Sequence, residues 1–193
     1  MCYLNHTTIL EKGFIMKKTL IAVSLATASL LSARDIKDYL DSAKIGAPMI
    51  PGWTINRSNK AADYGKGEVV VGSEADEKAF KLTAPADRSN AIYMLGSTSV
   101  KAGEFLEFSA KVKGRGTVTF TYYPYGVKGA FISGVPVPTK TVVLTDKWTE
   151  VKGKLEVKNS KNGTIVGAIR PSIVLSKGGE LLIEDIDLEI DND

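Results

Sequence analysis

The side chains of this 193-residue sequence that could do chemistry fall into two sets. The first is aromatic and cationic: Tyr93, Tyr123, Tyr125 and Arg170. Flat rings pack on the apolar faces of pyranose sugars, and a guanidinium carries its donors in a fixed fork that bonds adjacent hydroxyls or a carboxylate. Tyr123 with Arg170 is also the pair that could serve a polysaccharide lyase, the phenol abstracting a proton beside a uronate that the Arg neutralises. The second set is acidic and lies near the end of the chain: Glu184, Asp185, Asp187, Glu189 and Asp191. Carboxylates at every second residue line one face of a strand, whereas calcium takes about six to eight oxygens converging from several segments. Asp185, with Glu184 beside it, is therefore the candidate calcium ligand, and the rest read as surface charges.

The sequence has one His and one Cys, His6 and Cys2, and both precede a segment that reads as a secretory leader. Lys17 and Lys18 open that leader, residues 20–31 are apolar apart from Ser and Thr, and Ala33 offers a cleavage site. The run is too short to span a bilayer. Residues 1–15 read as an upstream extension ahead of the true start, residues 16–33 as the signal, and residues 34–193 as the working protein, placed in the periplasm or released. A lipid anchor is excluded because Arg34 stands where the lipid-bearing Cys would have to be. Without His or Cys, the exported chain has no ligands for zinc, copper or haem, and no Ser-His-Asp or Cys-His nucleophile system. Two-carboxylate glycosidase chemistry needs only Asp and Glu and stays formally open. The 25 basic and 22 acidic residues lose three and one with the leader, so the net charge falls from +3 to +1. That balance gives no electrostatic case for nucleic acid or for an anionic membrane.

The elements that must position these residues are strands. Runs rich in β-branched and aromatic residues recur between Gly, Pro, Asn and Asp at 53–56, 68–71, 79–83, 91–95, 105–112, 117–123, 141–144, 149–157, 164–175 and 180–190. One short helix is expected at 35–43, capped by Asp35. Such spacing predicts a single all-β domain, a two-sheet antiparallel β-sandwich. Period-two alternation buries Leu106, Phe108, Ala110 and Val112 in one strand and Val118, Phe120 and Tyr122 in another. The second strand then turns Thr119, Thr121, Tyr123 and Tyr125 outward. Ile169, Ile173 and Leu175 point inward and leave Arg170 and Ser172 outward; the facing of Tyr93 stays open. Pro171 lacks an N–H, which predicts an edge or a bulge there. Residues 124–140, with three Gly, three Pro, Phe131 and Ile132, read as a long loop of the kind that carries function.

Several segments line up with a known family. Residues 146–157 (DKWTEVKGKLEV) and the closing residues 182–188 (LIEDIDL) resemble the last strands of carbohydrate-binding modules of the galactose-binding-like jelly-roll type, the group attached to bacterial xylanases and glucanases. Residues 51–54 (PGWT) look like that group's first strand, and residues 170–173 (RPSI) fit the strand before last. The resemblance implies a jelly roll that binds polysaccharide or oligosaccharide without catalysis, often with a structural calcium. One departure concerns that metal, because residues 45–50 (IGAPMI) supply no carboxylate where family members have one. Trp53 and Trp148 are expected to pack in the core or at sheet ends rather than on sugar. The reading reached is non-catalytic carbohydrate binding. A structural or protein-interaction sandwich, with a protein partner, is the alternative from another class, and the lyase is a third.

Overall fold

The computed structural model describes residues 36–55 and 65–191, with side chains from residue 39 onward. The leader, the upstream extension, Asp35 and Asn56 lie outside the described residues. One helix, α1 (Ile36–Ser42), precedes eleven strands: β1 (Trp53–Ile55), β2 (Gly67–Val71), β3 (Lys78–Thr83), β4 (Asn90–Met94), β5 (Thr98–Ser99), β6 (Phe105–Arg115), β7 (Thr117–Gly126), β8 (Lys140–Val143), β9 (Thr149–Glu156), β10 (Val166–Leu175) and β11 (Glu180–Asp191). They form two antiparallel sheets. The front sheet runs β1-β4-β10-β7-β8, with β5 added to β10, and the back sheet runs β2-β3-β11-β6-β9. This is the all-β sandwich that the alternation predicts, in its jelly-roll form. Each predicted strand is present to within a few residues at its ends; β5, at two residues, is an addition.

The alternation works because each sheet has one dry face. Leu106, Phe108, Ala110 and Val112 of β6 and Val118, Phe120 and Tyr122 of β7 are buried between the sheets. Phe108 and Phe120 stack across the sandwich with ring centroids 4.4 Å apart and planes 13° from parallel. The Tyr122 hydroxyl donates to the Glu156 carbonyl at 2.8 Å, which satisfies its polar tip inside the core. Trp53 is buried with them, as expected, and Trp148 is half-buried just before β9. Leu40 and Ala43, at the end of α1, join the same core, and Lys78 donates to the carbonyls of Asp41 and Ala43. A cation on those carbonyls satisfies groups that the helix leaves without partners.

The structure corrects three local expectations. Pro171 is not on an edge strand, since β10 lies in the middle of the front sheet. Proline is tolerated because β10 is locally one-sided. It has Tyr122 of β7 as neighbour, but on the other flank the β4 pairing ends at Tyr93 opposite Ser172 and β5 begins opposite Ile169. Residues 124–126 belong to β7 rather than to the loop, so Tyr125 is a strand residue with a fixed facing. Asp185 does not continue the row of outward acids. The register steps from Glu184↔Lys111 to Asp187↔Ser109, so β11 carries one extra residue, and Asp185 sits in that bulge at φ 51°. The bulge shifts the inward set from Leu181 and Ile183 to Ile186 and Leu188.

Candidate ligand-binding face

Tyr93, Tyr123, Tyr125 and Arg170 come together on the outer face of the front sheet. Arg170 is the direct cross-strand neighbour of Tyr123, and Tyr125 lies opposite Ala168. Tyr93, whose facing the alternation left open, pairs with Ser172 and so shares the outward parity of Arg170. The rings of Tyr93 and Tyr123 meet edge to face with centroids 5.6 Å apart. The Arg170 guanidinium lies over the Tyr125 ring at 4.6 Å, a cation–π contact that holds a long side chain flat along the sheet.

Phe131 completes the group and was not among the residues nominated from sequence. It is 58% exposed, edge to face with both Tyr123 (6.4 Å) and Tyr125 (6.0 Å). A tight turn brings it there. Gly129 donates to the Gly126 carbonyl, Gly126 donates to Ala130, and Ile132 donates to Pro124, so the chain doubles back on β7 and Phe131 bridges to Tyr125. The positive φ of Gly129 (78°) is what lets the turn close. Ile132 is buried, and Val135 and Val137 pack on the core, so much of the stretch read as a long loop is anchored. The four rings Tyr93, Tyr123, Phe131 and Tyr125 make one connected aromatic surface, with Thr119, Thr121 and Thr141 alongside it.

Arg170 and Glu107 lie on opposite sheets and do not pair. Glu107 is in the back sheet, where it pairs with Lys154 at 2.5 Å. The outer face of the back sheet holds a groove of about 450 Å³ lined by Glu107, Ser109, Lys152, Lys154, Asp187 and Glu189 with Phe108 and Gly153 at its base. Both of its lysines are held by acids. Lys154 donates to Asp191 and Glu107, and those two hydrogen bonds hold the ammonium well above its ordinary pKa. Lys152 pairs with Glu150. The groove offers no exposed ring on which a sugar could stack, because Phe108 is buried beneath Gly153. The chemistry of sugar recognition favours the aromatic face.

No family model and no curated protein matches the chain. Solved structures do share its fold. A cyclase from Fischerella sp. TAU, crystallised with an indole compound, superposes with a TM-score of 0.58 at 6% identity, covering 83% of this chain and 98% of that one. The enzymatically active domain of tailspike protein 4 of bacteriophage CBA120 gives 0.55 at 12% identity over 79% of this chain, which spans only 22% of the tailspike chain. The CBM22-1 xylan-binding domain from Paenibacillus barcinonensis gives 0.50 at 16% identity, over 77% of this chain and 91% of that one. At these identities the likeness is one of fold, shared by binding modules and enzymes alike.

The candidate calcium ligands have partners of another kind. Glu184 is 1% exposed. Its Oε2 accepts from the Ser73 N–H at 2.8 Å, and its Oε1 accepts from the Ser73 hydroxyl at 2.5 Å. Lys111 Nζ lies 2.8 Å from Asp185 and 3.8 Å from Glu184, and the hydrogen bond to Asp185 raises its pKa. This arrangement does not fit calcium as it stands. Among the described residues no three acids converge, and the Lys111 ammonium lies against both carboxylates. Excess calcium and excess chelator are therefore expected to give superimposable thermal melts. A melting temperature that rises with calcium would return Glu184 and Asp185 to the role of ligands.

Proposed function

We propose that this domain binds carbohydrate outside the cytoplasm, on the outer face of the front sheet, by ring stacking and hydrogen bonding and without bond cleavage. The observation that carries the reading is the connected ring surface of Tyr93, Tyr123, Phe131 and Tyr125 beside Arg170. A rigid sheet fixes three of those rings, and preorganised groups lose little freedom when a ligand docks. Threonine hydroxyls and the guanidinium supply hydrogen bonds next to the rings, as sugar recognition requires. The xylan-binding neighbour is built on the same sandwich, which supports this use of the fold.

A glycan array on the purified protein would identify a ligand, and calorimetry on that ligand would test the site. Phe131→Ala and Tyr125→Ala are each expected to weaken binding about tenfold, the loss of one stacking ring, while melting temperatures stay close to wild type. Wild-type affinity in both variants would move the site off this face. Leu95, Val127 and Ile165 are exposed at the same end of the front sheet, following β4 and β7 and preceding β10. Apolar side chains so placed favour a second reading, a protein-interaction sandwich. An empty array together with a protein partner whose binding Phe131→Ala abolishes would establish that reading instead. Release of unsaturated sugar products, abolished by Tyr123→Phe, would establish the lyase.

A further inference from the structure

The two outer faces of the sandwich treat charge in opposite ways. On the back sheet, acids and bases alternate across neighbouring strands and meet in pairs: Lys81 with Glu180, Lys111 with Asp185, and Lys154 with Glu107 and Asp191. On the front sheet, the outward positions of β1, β4, β5, β10, β7 and β8 hold Tyr, Thr, Ser, Ala and Val, and one charge, Arg170. Lys140, at the sheet's edge, has the opposite parity, lying across from Phe120. Among the described residues no carboxylate pairs with Arg170, and its Nε is shielded from solvent without an acceptor.

A shielded guanidinium donor with no acceptor works against folding, and an uncharged residue would serve a Thr- and Tyr-lined sheet better. The Tyr125 ring holds the planar group but accepts none of its in-plane hydrogen bonds. Nε itself is closed to a ligand, but among the described residues no protein acceptor faces the two Nη groups either, and an oxyanion in the plane of that edge would lie next to rings that carry the sugar bearing it. Carboxylates match that fork with two parallel hydrogen bonds, so the missing acceptor is the kind of group a uronic acid carries.

We infer that the glycan bound by this face is anionic, a uronate-bearing polysaccharide whose carboxylate is received by Arg170. The inference rests on the carbohydrate reading and specifies its ligand class. A sulfate ester would present the same kind of oxyanion from a different source, and the test separates the two. Affinity electrophoresis of the purified protein is run through gels containing polygalacturonate, alginate, the carboxyl-reduced form of each, neutral xylan, or dextran sulfate.

The wild type is expected to prefer a native uronate polymer over its carboxyl-reduced form by about 10- to 100-fold, the worth of a charge-assisted hydrogen bond. That preference is expected to fall toward unity in Arg170→Gln, whose melting temperature serves as the folding control. Equal retention on native and reduced polymers by the wild type would overturn the inference and leave the carbohydrate reading standing. So would a preference that survives in Arg170→Gln. Retention on dextran sulfate with none on either uronate polymer would replace the carboxylate by a sulfate ester. No retention on any polysaccharide would remove the carbohydrate reading itself.

Discussion

Phe108→Ala is expected to destabilise the domain by about 3–5 kcal/mol, the largest stability effect of any truncation at the sheet interface. Phe108 belongs to the back sheet and Phe120 to the front, and their stacked rings join the two layers near the middle of the core. Removing one ring loses its burial and leaves a cavity whose walls are strands, which cannot close on it without breaking ladder hydrogen bonds. Gly153 makes the fit tighter still, since a Cβ there would come within 2.6 Å of the Phe108 ring. For a domain of this size the loss corresponds to a fall of roughly 10–15 °C in melting temperature. Phe108→Leu should recover about half of it, and a double-mutant cycle with Phe120→Ala should show coupling of about 1 kcal/mol. Additive effects in that cycle would mean the rings contribute only area. The cycle also bears on the site, because β7 carries Phe120 on its inner face and Tyr123 and Tyr125 on its outer one.

The same alternation explains why the site was partly legible in the sequence. Once Val118, Phe120 and Tyr122 are taken as core, period two turns Tyr123 and Tyr125 outward, and Ile169 with Ile173 does the same for Arg170. What brings Arg170 beside Tyr123 is the β7–β10 register, a long-range pairing that no local pattern encodes. Tyr93 needed the β4–β10 register in the same way. Phe131 lies in a stretch with no periodicity. The available signal was Gly126 and Gly129 flanking a short turn directly after a strand, the punctuation of a chain that reverses onto itself.

Other expectations failed for identifiable physical reasons. Pro171 predicts an edge or a bulge because a proline in a central strand forfeits a ladder hydrogen bond. The gap between β4 and β5 removes that objection, and only tertiary structure makes the gap. The acidic tail read as one continuous row because its acids recur at every second residue from Asp185. The apolar set, however, changes phase between Ile183 and Ile186, which is the mark of an inserted residue, and the bulge at Asp185 lies between them. Charge balance was legible in total but not in distribution. A net charge of +1 over residues 34–193 conceals one face whose lysines Lys81, Lys111 and Lys154 are ion-paired and another with a single guanidinium.

Glu184→Ala is the second large effect, expected at about 2–4 kcal/mol, and its origin is the buried tie between Glu184 and Ser73. The carboxylate is buried where β11 passes under the segment after β2, with Gly72 packed so close that a Cβ there would lie 2.6 Å from Oε2. It ties residues 111 apart in sequence by accepting both the N–H and the hydroxyl of Ser73. Alanine leaves those two donors without acceptors in a partly buried site, removes the partner 3.8 Å from Lys111, and opens a cavity under the backbone. Glu184→Gln keeps the shape and one acceptor oxygen, so it should cost only about 1 kcal/mol. Ser73→Ala, which deletes the hydroxyl but not the N–H, should cost about as much. Urea melts of the three variants, each repeated with calcium and with chelator, separate the roles. If the acid is a backbone tie, the ranking Ala, then Gln and Ser73→Ala, holds unchanged in both buffers. A Glu184→Ala loss that appears only in calcium, or none at all, would show that the carboxylate does not hold this turn.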